Sequence, residues 1–294
     1  MTTPLVFDRP LVRRRLARAL SQGYADFLLV RAVEDLEERL STVLRSFALA
    51  LDVGTPTPLA ADALRRSGHV EAVVRLSPVP ERGSVVGDEE RLPFSGERFD
   101  LAVSLLTLHG VNDLPGALIQ IRRALKADGL FIGSLLGGAT LTELRQSLTQ
   151  AEAEIEGGVS PRVAPFADLR DIGGLLQRAG FALPVTDTDT VRVRYANAFA
   201  LMRDLRRMGL TNALHDRRKT PLRRATLMRA AEIYAERFGD ADGRIPATFE
   251  IVWLSGWTPH ESQQKPLRPG SAKTRLADAL GVKEGAPAPK SDKT

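Results

Sequence analysis

Over the first 45 residues, apolar positions recur at helical spacing, first Val12, Leu16, Ala19 and Gly23, then Leu29, Val33, Leu36 and Leu40. Recurrence every three or four residues predicts amphipathic helices. From Phe47 the pattern changes. Short apolar runs at Phe47–Val53, 70–76, Ser84–Val86, 99–106 and 129–136 alternate with helical stretches near 58–67 and 113–126. Alternating strands and helices predict a parallel sheet covered on both faces. Asp113 reads as the N-cap of the helix carrying Leu118, Ile121 and Leu125, and Asp128-Gly129 as its stop.

Helical patterns return at 141–155, stopped by Gly157-Gly158, and at 167–179, stopped by Gly180. Residues 186–195 alternate as a strand does, with Val191 and Val193 on one side and Arg192 and Arg194 on the other. Two more helical stretches lie near 196–208 and 221–238, and 247–257 reads as a closing strand. Beyond Thr258 the chain is rich in Pro, Gly, Ser and Lys, which predicts an extended wrap and then a disordered tail after about residue 282. The organisation is therefore a helical cover over 1–45, an α/β domain over 46–257 with a helical insertion near 196–238, and a wrap and tail over 258–294.

Composition narrows the chemistry. The 294 residues are 43% hydrophobic and 26% charged, ordinary for a globular chain with a sizeable core. The chain has no cysteine, which excludes disulfides, thiolate ligands and cysteine nucleophiles. The net charge of +5 reads as solvated surface and not as a nucleic-acid footprint. Arg9, Arg13, Arg14, Arg15 and Arg18 crowd the N-terminus, but no apolar run follows them as in a secretory leader, and Asp8 and Asp26 argue against a transit peptide. No run of about 20 apolar residues marks a membrane span. The four histidines, His69, His109, His215 and His260, are scattered, and no metal site is expected.

The most informative stretch is Leu51-Asp52-Val53-Gly54-Thr55-Pro56-Thr57-Pro58. A buried strand ending in an acidic residue and a glycine, with a helix following, is how a nucleotide-binding βα unit begins. The loop then holds threonines and prolines. Proline fixes φ and offers no N–H, so the cradle is poor in the backbone donors a ligand needs. Thr57-Pro58 also suits an N-cap followed by a first helical residue, which explains the loop without any ligand.

Further motifs follow. They are Gly87-Asp88-Glu89-Glu90-Arg91-Leu92-Pro93-Phe94 with Phe99-Asp100-Leu101-Ala102-Val103-Ser104, and Leu108-His109-Gly110-Val111-Asn112-Asp113-Leu114-Pro115. Gly137-Gly138-Ala139-Thr140-Leu141-Thr142-Glu143-Leu144-Arg145, Glu156-Gly157-Gly158-Val159-Ser160-Pro161 and Asp187-Thr188-Asp189 come next. Pro246-Ala247-Thr248-Phe249 and Gly256-Trp257-Thr258-Pro259-His260-Glu261-Ser262-Gln263 close the series. The first pair resembles class I S-adenosylmethionine-dependent methyltransferases, including the biotin-synthesis enzymes. Together, over roughly residues 7–272, the set resembles the assembly factor 5 family of respiratory complex I. The resemblance implies a class I methyltransferase-like, Rossmann-like α/β fold and action on an arginine of a complex I subunit by hydroxylation. It also implies a place peripheral to a membrane, in the cytoplasm of a bacterium or the matrix of a mitochondrion. The cofactor implied is S-adenosylmethionine, held by Asp52, Gly54, Asp88, Glu89, Ser104 and His109, with Asp88 at the position that meets the adenine amino group.

Three departures from that family stand out. Thr55-Pro56-Thr57-Pro58 replaces the glycine-rich loop, Arg75-Leu76-Ser77 has no acidic residue for the ribose hydroxyls, and Gly110 replaces an aromatic. Two rival readings follow, a scaffold that kept the fold but lost the cofactor and a conventional methyltransferase. The bland readings stay open beside them. Asp52-Gly54 makes an ordinary turn, Asp88-Glu89 a solvated loop, and His109 a structural histidine. Arg217-Arg218-Lys219 with Arg223 and Arg224 reads either as a solvated face or as a dock for an acidic partner. Trp253 reads as core. No residue is singled out as catalytic.

Overall fold

The sheet is built from the apolar runs because both its faces are covered. The computed structural model describes residues 5–166 and 169–263. Two helices come first, α1 (Arg9–Ser21) and α2 (Phe27–Ser41). Then follow β1 (Phe47–Val53), α3 (Leu59–Arg66), β2 (Val70–Ser77), β3 (Ser84–Val86), β4 (Phe99–Leu105), a 3-10 turn at Leu108–Gly110, α4 (Leu114–Ala124) and β5 (Leu125–Leu136). The second half runs α5 (Thr142–Glu156), α6 (Leu169–Arg178), β6 (Ala182–Tyr195), α7 (Ala198–Arg207), α8 (Arg224–Phe238) and β7 (Ile245–Trp257).

The strands lie in the order β3-β2-β1-β4-β5-β7-β6. Successive residues face opposite layers. Leu101, Val103, Ile132, Phe249 and Trp253 pack with α2, α3, α5, α7 and α8. Ala102, Phe131, Leu135, Val252 and Leu254 pack with α4 and α6. Burial on both faces is why these strands read as continuous apolar runs.

An all-parallel sheet is not what forms. The first five strands are parallel, but β7 runs antiparallel to β5, and β6 antiparallel to β7. Periodicity reports which residues are buried and is blind to strand direction. The alternating edge strand β6, with Val191 and Val193 half-buried and Arg192 and Arg194 exposed, is the pattern an antiparallel edge tolerates.

Asp113 caps α4 as expected, accepting from the Gly116 N–H at 2.8 Å. Thr57 does not cap α3. The helix starts after Pro58, and the Thr57 hydroxyl is buried without a hydrogen-bond partner. The chain divides into residues 1–260 and 261–294. In the first unit, β7 is prolonged by Thr258, whose N–H donates to the Gly129 carbonyl at 2.8 Å. Most of the expected wrap and all of the tail lie outside the described residues.

Candidate functional site

In an open α/β sheet, ligands bind beyond the carboxyl ends of the strands. At the ends of β1 and β2 that space is filled by the chain itself. Asp52 and Arg75 are register neighbours, and both are buried, at 0% and 4% exposure. Arg75 Nε donates to Asp52 Oδ2 at 3.0 Å, Nη2 to the Thr55 carbonyl at 2.9 Å, and Nη1 to Glu81 Oε2 at 2.5 Å. All three guanidinium nitrogens are therefore engaged. Burial pushes the Asp52 carboxyl up to about 6, against the pull of Arg75. A guanidinium and a carboxylate thus close on each other near the ends of β1 and β2.

Gly54 has φ +71°, and a Cβ there would lie 2.6 Å from Glu89 Oε1. The space that the missing Cβ leaves is taken by Glu89. Ser104, on β4, turns its hydroxyl to the Val53 carbonyl at 2.8 Å and braces the same loop. Thr55 does likewise, accepting from the Leu105 N–H at 3.2 Å.

The acidic loop Asp88-Glu89-Glu90 meets the N-terminal arm. Arg9 pairs with Asp88 Oδ1 at 2.7 Å, with Glu89, and with Glu90 Oε2 at 3.3 Å, and its Nη1 donates to the Gly110 carbonyl at 3.0 Å. Arg13, one turn on, pairs with Asp88. Burial raises the Glu89 carboxyl above its ordinary value, Arg9 opposing. Burial also acts on Asp88, but the Glu90 N–H, Arg9 and Arg13 outweigh it and hold that carboxyl low. The arm is fastened by backbone too. Asn112 Oδ1 accepts from the Val6 and Phe7 N–H groups at 2.8 and 2.7 Å, and the Asp8 N–H donates to the Ala213 carbonyl at 2.9 Å.

Beyond β4 and β5 the picture reverses. A cavity of about 240 Å³ is lined by Leu136, Leu144, Leu148, Phe166, Met202 and Leu205, with Phe7 and Val12 of the arm closing it. A second of about 70 Å³ reaches back to Pro56 and Thr107. His109 and Gly110 line both. The His109 ring meets Phe166 edge-on at 5.7 Å, and its buried Nδ1 has no hydrogen-bond partner. Burial lowers its pKa to about 4, so the ring is neutral at physiological pH. Leu106 (φ +50°) and Leu141 (φ +55°), just after β4 and β5, sit in the left-handed region at the edges of these cavities. Such outliers cost about 1–3 kcal/mol and cluster at functional sites. An open groove of about 630 Å³ at Leu92, Phe94, Gln120 and Thr258 lies at the amino ends of β4 and β5, the end of the sheet where ligands are not expected.

Both the sequence and the fold have relatives among known proteins. Residues 51–133 match the model of the methyltransferase domain. A putative methyltransferase from Bacillus halodurans C-125 shares the fold, with a TM-score of 0.51 at 16% identity over 77% of this chain and 98% of that one. The mitochondrial arginine-hydroxylase NDUFAF5 of Danio rerio is 42% identical, covering 93% of this chain and 89% of that protein. This chain belongs to the NDUFAF5 arginine-hydroxylase family. That family lies within the class I S-adenosylmethionine methyltransferase superfamily. A malonyl-[acyl-carrier protein] O-methyltransferase of Xylella fastidiosa is 31% identical over 86% of this chain and 89% of its own.

Within the family frame, the structure draws Asp52, Gly54 and Ser104 around the first loop and joins Asp88 and Glu89 to it through Gly54. His109 stands on the cavity side, linked by Thr107, whose hydroxyl donates to Glu89 Oε1 at 3.4 Å. Arg9, Arg13 and Arg75 are the site residues the sequence reading missed. Three consecutive carboxylates at 88–90 were the available signal, since carboxylates folded against a sheet need cationic partners. The basic run at 217–224 is neither fully solvated nor free. Arg217 pairs with Asp8, and Arg218 and Arg223 pair with Glu156.

Proposed function

We propose that this protein is a complex I assembly factor that acts on an arginine of a partner subunit, and that its methyltransferase crevice no longer accepts S-adenosylmethionine. One observation carries the reading. The carboxyl-end crevice is stocked with carboxylates that already hold guanidinium groups, in a chain 42% identical to a named arginine-hydroxylase. The residues do not fit the cofactor. Arg75-Leu76-Ser77 offers no acidic partner for the ribose, Glu89 occupies the space over Gly54, and Arg9 and Arg13 pair with Asp88. The cavity that touches the first loop has about 70 Å³, where ligand sites of this class span about 300–1,000 Å³. The six candidate residues, Asp52, Gly54, Asp88, Glu89, Ser104 and His109, then serve the site's shape and charge instead of a bound nucleoside.

Hydroxylation adds one oxygen atom to the target side chain, which peptide mass spectrometry reads directly. Deleting the gene should lower assembled NADH:quinone oxidoreductase and remove one oxygen from a single arginine-bearing peptide of the complex. A deletion strain with normal complex and an unchanged peptide would refute the reading. The filled crevice favours one rival, a non-catalytic scaffold. In that case the complex falls in the deletion strain, but the arginine carries no added oxygen in the parent strain either.

A further inference from the structure

We infer that Asp88 and Glu89, with Glu90 at their edge, form the seat for the partner's arginine, and that the N-terminal arm is a displaceable pseudosubstrate whose Arg9 occupies this seat in the resting protein. The inference rests on the function proposed above and adds to it the recognition site and the way that site is guarded.

The argument begins with the arm. On α1, Arg9 and Arg13 lie one turn apart and so share a face, as do Val12 and Leu16. The first face delivers guanidinium groups to the carboxylates. The second closes the cavities beside His109. One short element therefore covers both a carboxylate seat and an apolar chamber. Gly110 joins the two, since its carbonyl accepts from Arg9 and its backbone borders both cavities. Thr107 joins them again, bonded to Glu89 on one side and bordering the smaller cavity on the other.

With the arm withdrawn, seat and chamber make one cleft. It has carboxylates at one end, apolar walls along its length, and the unpartnered Nδ1 of a neutral His109 at the junction. An arginine side chain has that profile, a planar cationic fork on an aliphatic stem. Forked guanidinium–carboxylate pairs are among the strongest and most geometrically specific polar contacts. The buried, unsatisfied His109 nitrogen is a second sign that the cleft is shaped for a ligand, because buried polar atoms are ordinarily paired.

The arm is held at several points: the His215 N–H donates to the Val6 carbonyl at 2.8 Å, the Asp8 N–H to the Ala213 carbonyl at 2.9 Å, Phe7 bridges to Leu214, and Arg217 pairs with Asp8. Asn112 adds a further tether, accepting from the Val6 and Phe7 N–H groups, so an external arginine competes against the whole arm and not against Arg9 alone. A self-occupied site lowers the apparent affinity for an external ligand by the fraction of molecules with the arm out.

The test is binding to the full chain, read without turnover, so that its failure is distinct from failure of the hydroxylation reading. The probes are acetyl-Gly-Arg-Gly-amide and its citrulline counterpart, which keeps the shape and loses the charge. Arg9→Ala should bind the arginine peptide about tenfold more tightly than the parent protein, a factor worth about 1.4 kcal/mol. It should show no such gain for citrulline, and adding Glu89→Gln should erase the gain. Arg13→Ala, which removes only the outer pair, should give a smaller gain of about threefold. This variant keeps the test open should Arg9→Ala fail to fold. In the parent protein, the arginine peptide should speed amide exchange at Val6 and Phe7. Folded variants that bind both peptides equally, or neither better than the parent does, would overturn the inference, as would unchanged exchange in the arm.

Discussion

The crevice at the ends of β1 and β2 and the chamber beyond β4 and β5 both lie beyond the carboxyl ends of the strands, and they differ in what fills them. In the crevice all three guanidinium nitrogens of Arg75 are engaged, Asp52 Oδ1 alone of that pair lacks a partner, and the space over Gly54 is taken by a carboxylate. In the chamber about 240 Å³ is lined by apolar side chains, and a histidine nitrogen has no partner. Filling one half with charge has made that half part of the structure. The other half keeps an apolar cavity. A buried cation at position 75 requires a carboxylate partner, and Asp52 provides it.

If the crevice has become structural, breaking it should be costly. Arg75→Ala leaves Asp52 buried without its partner and should destabilise the protein by about 3–5 kcal/mol in urea unfolding, while Arg75→Met with Asp52→Leu should recover most of that loss. A cost below about 1 kcal/mol for the single change would mean that the pair is not structural.

The chamber should show itself through pH. The folded pKa of His109, about 4, lies below the unfolded value near 6.5. The unfolded chain therefore binds the proton more readily, and stability is lost as pH falls through that window, by up to about 3 kcal/mol from this group. Asp52 acts with the opposite sign. Its folded pKa of about 6 lies above the unfolded value of 3.8, so it favours the folded state as pH falls through 6. His109→Phe should flatten the acid limb between about pH 6.5 and 4, leaving the Asp52 contribution. An unchanged acid limb would show that His109 is not held neutral by burial.

The next effects are smaller. Gly54→Ala introduces a Cβ at φ +71° against Glu89 and should cost about 1–3 kcal/mol. A neutral result would show that Glu89 yields easily and that the crevice can reopen. Arg194→Ala breaks exposed pairs with Asp240 and Asp242, far from either half, and should cost at most about 1 kcal/mol. It marks the background against which the Arg75 result is read.

The layered fold was legible because burial on both sheet faces writes apolar runs, and the helix at Asp113 because its cap is a local signal. Strand direction was not legible, and neither was the occupant of the crevice. Arg9 and Glu89 are 80 residues apart, and no periodicity links an arginine in an N-terminal helix to a carboxylate after β3. Arg75 was visible as a missing acid, but its partnership with Asp52 depends on the parallel register of β1 and β2. His109 was marked by its position after β4, while its unpartnered nitrogen follows only from packing against Phe166 and the chamber.

Calorimetric titration of the full chain with S-adenosylmethionine tests the central claim, that the crevice is closed to the cofactor, most directly. The account predicts no saturable binding up to millimolar concentration, and the same result for Asp88→Ala. A low-micromolar dissociation constant that Asp88→Ala abolishes would contradict it and return the crevice to cofactor chemistry.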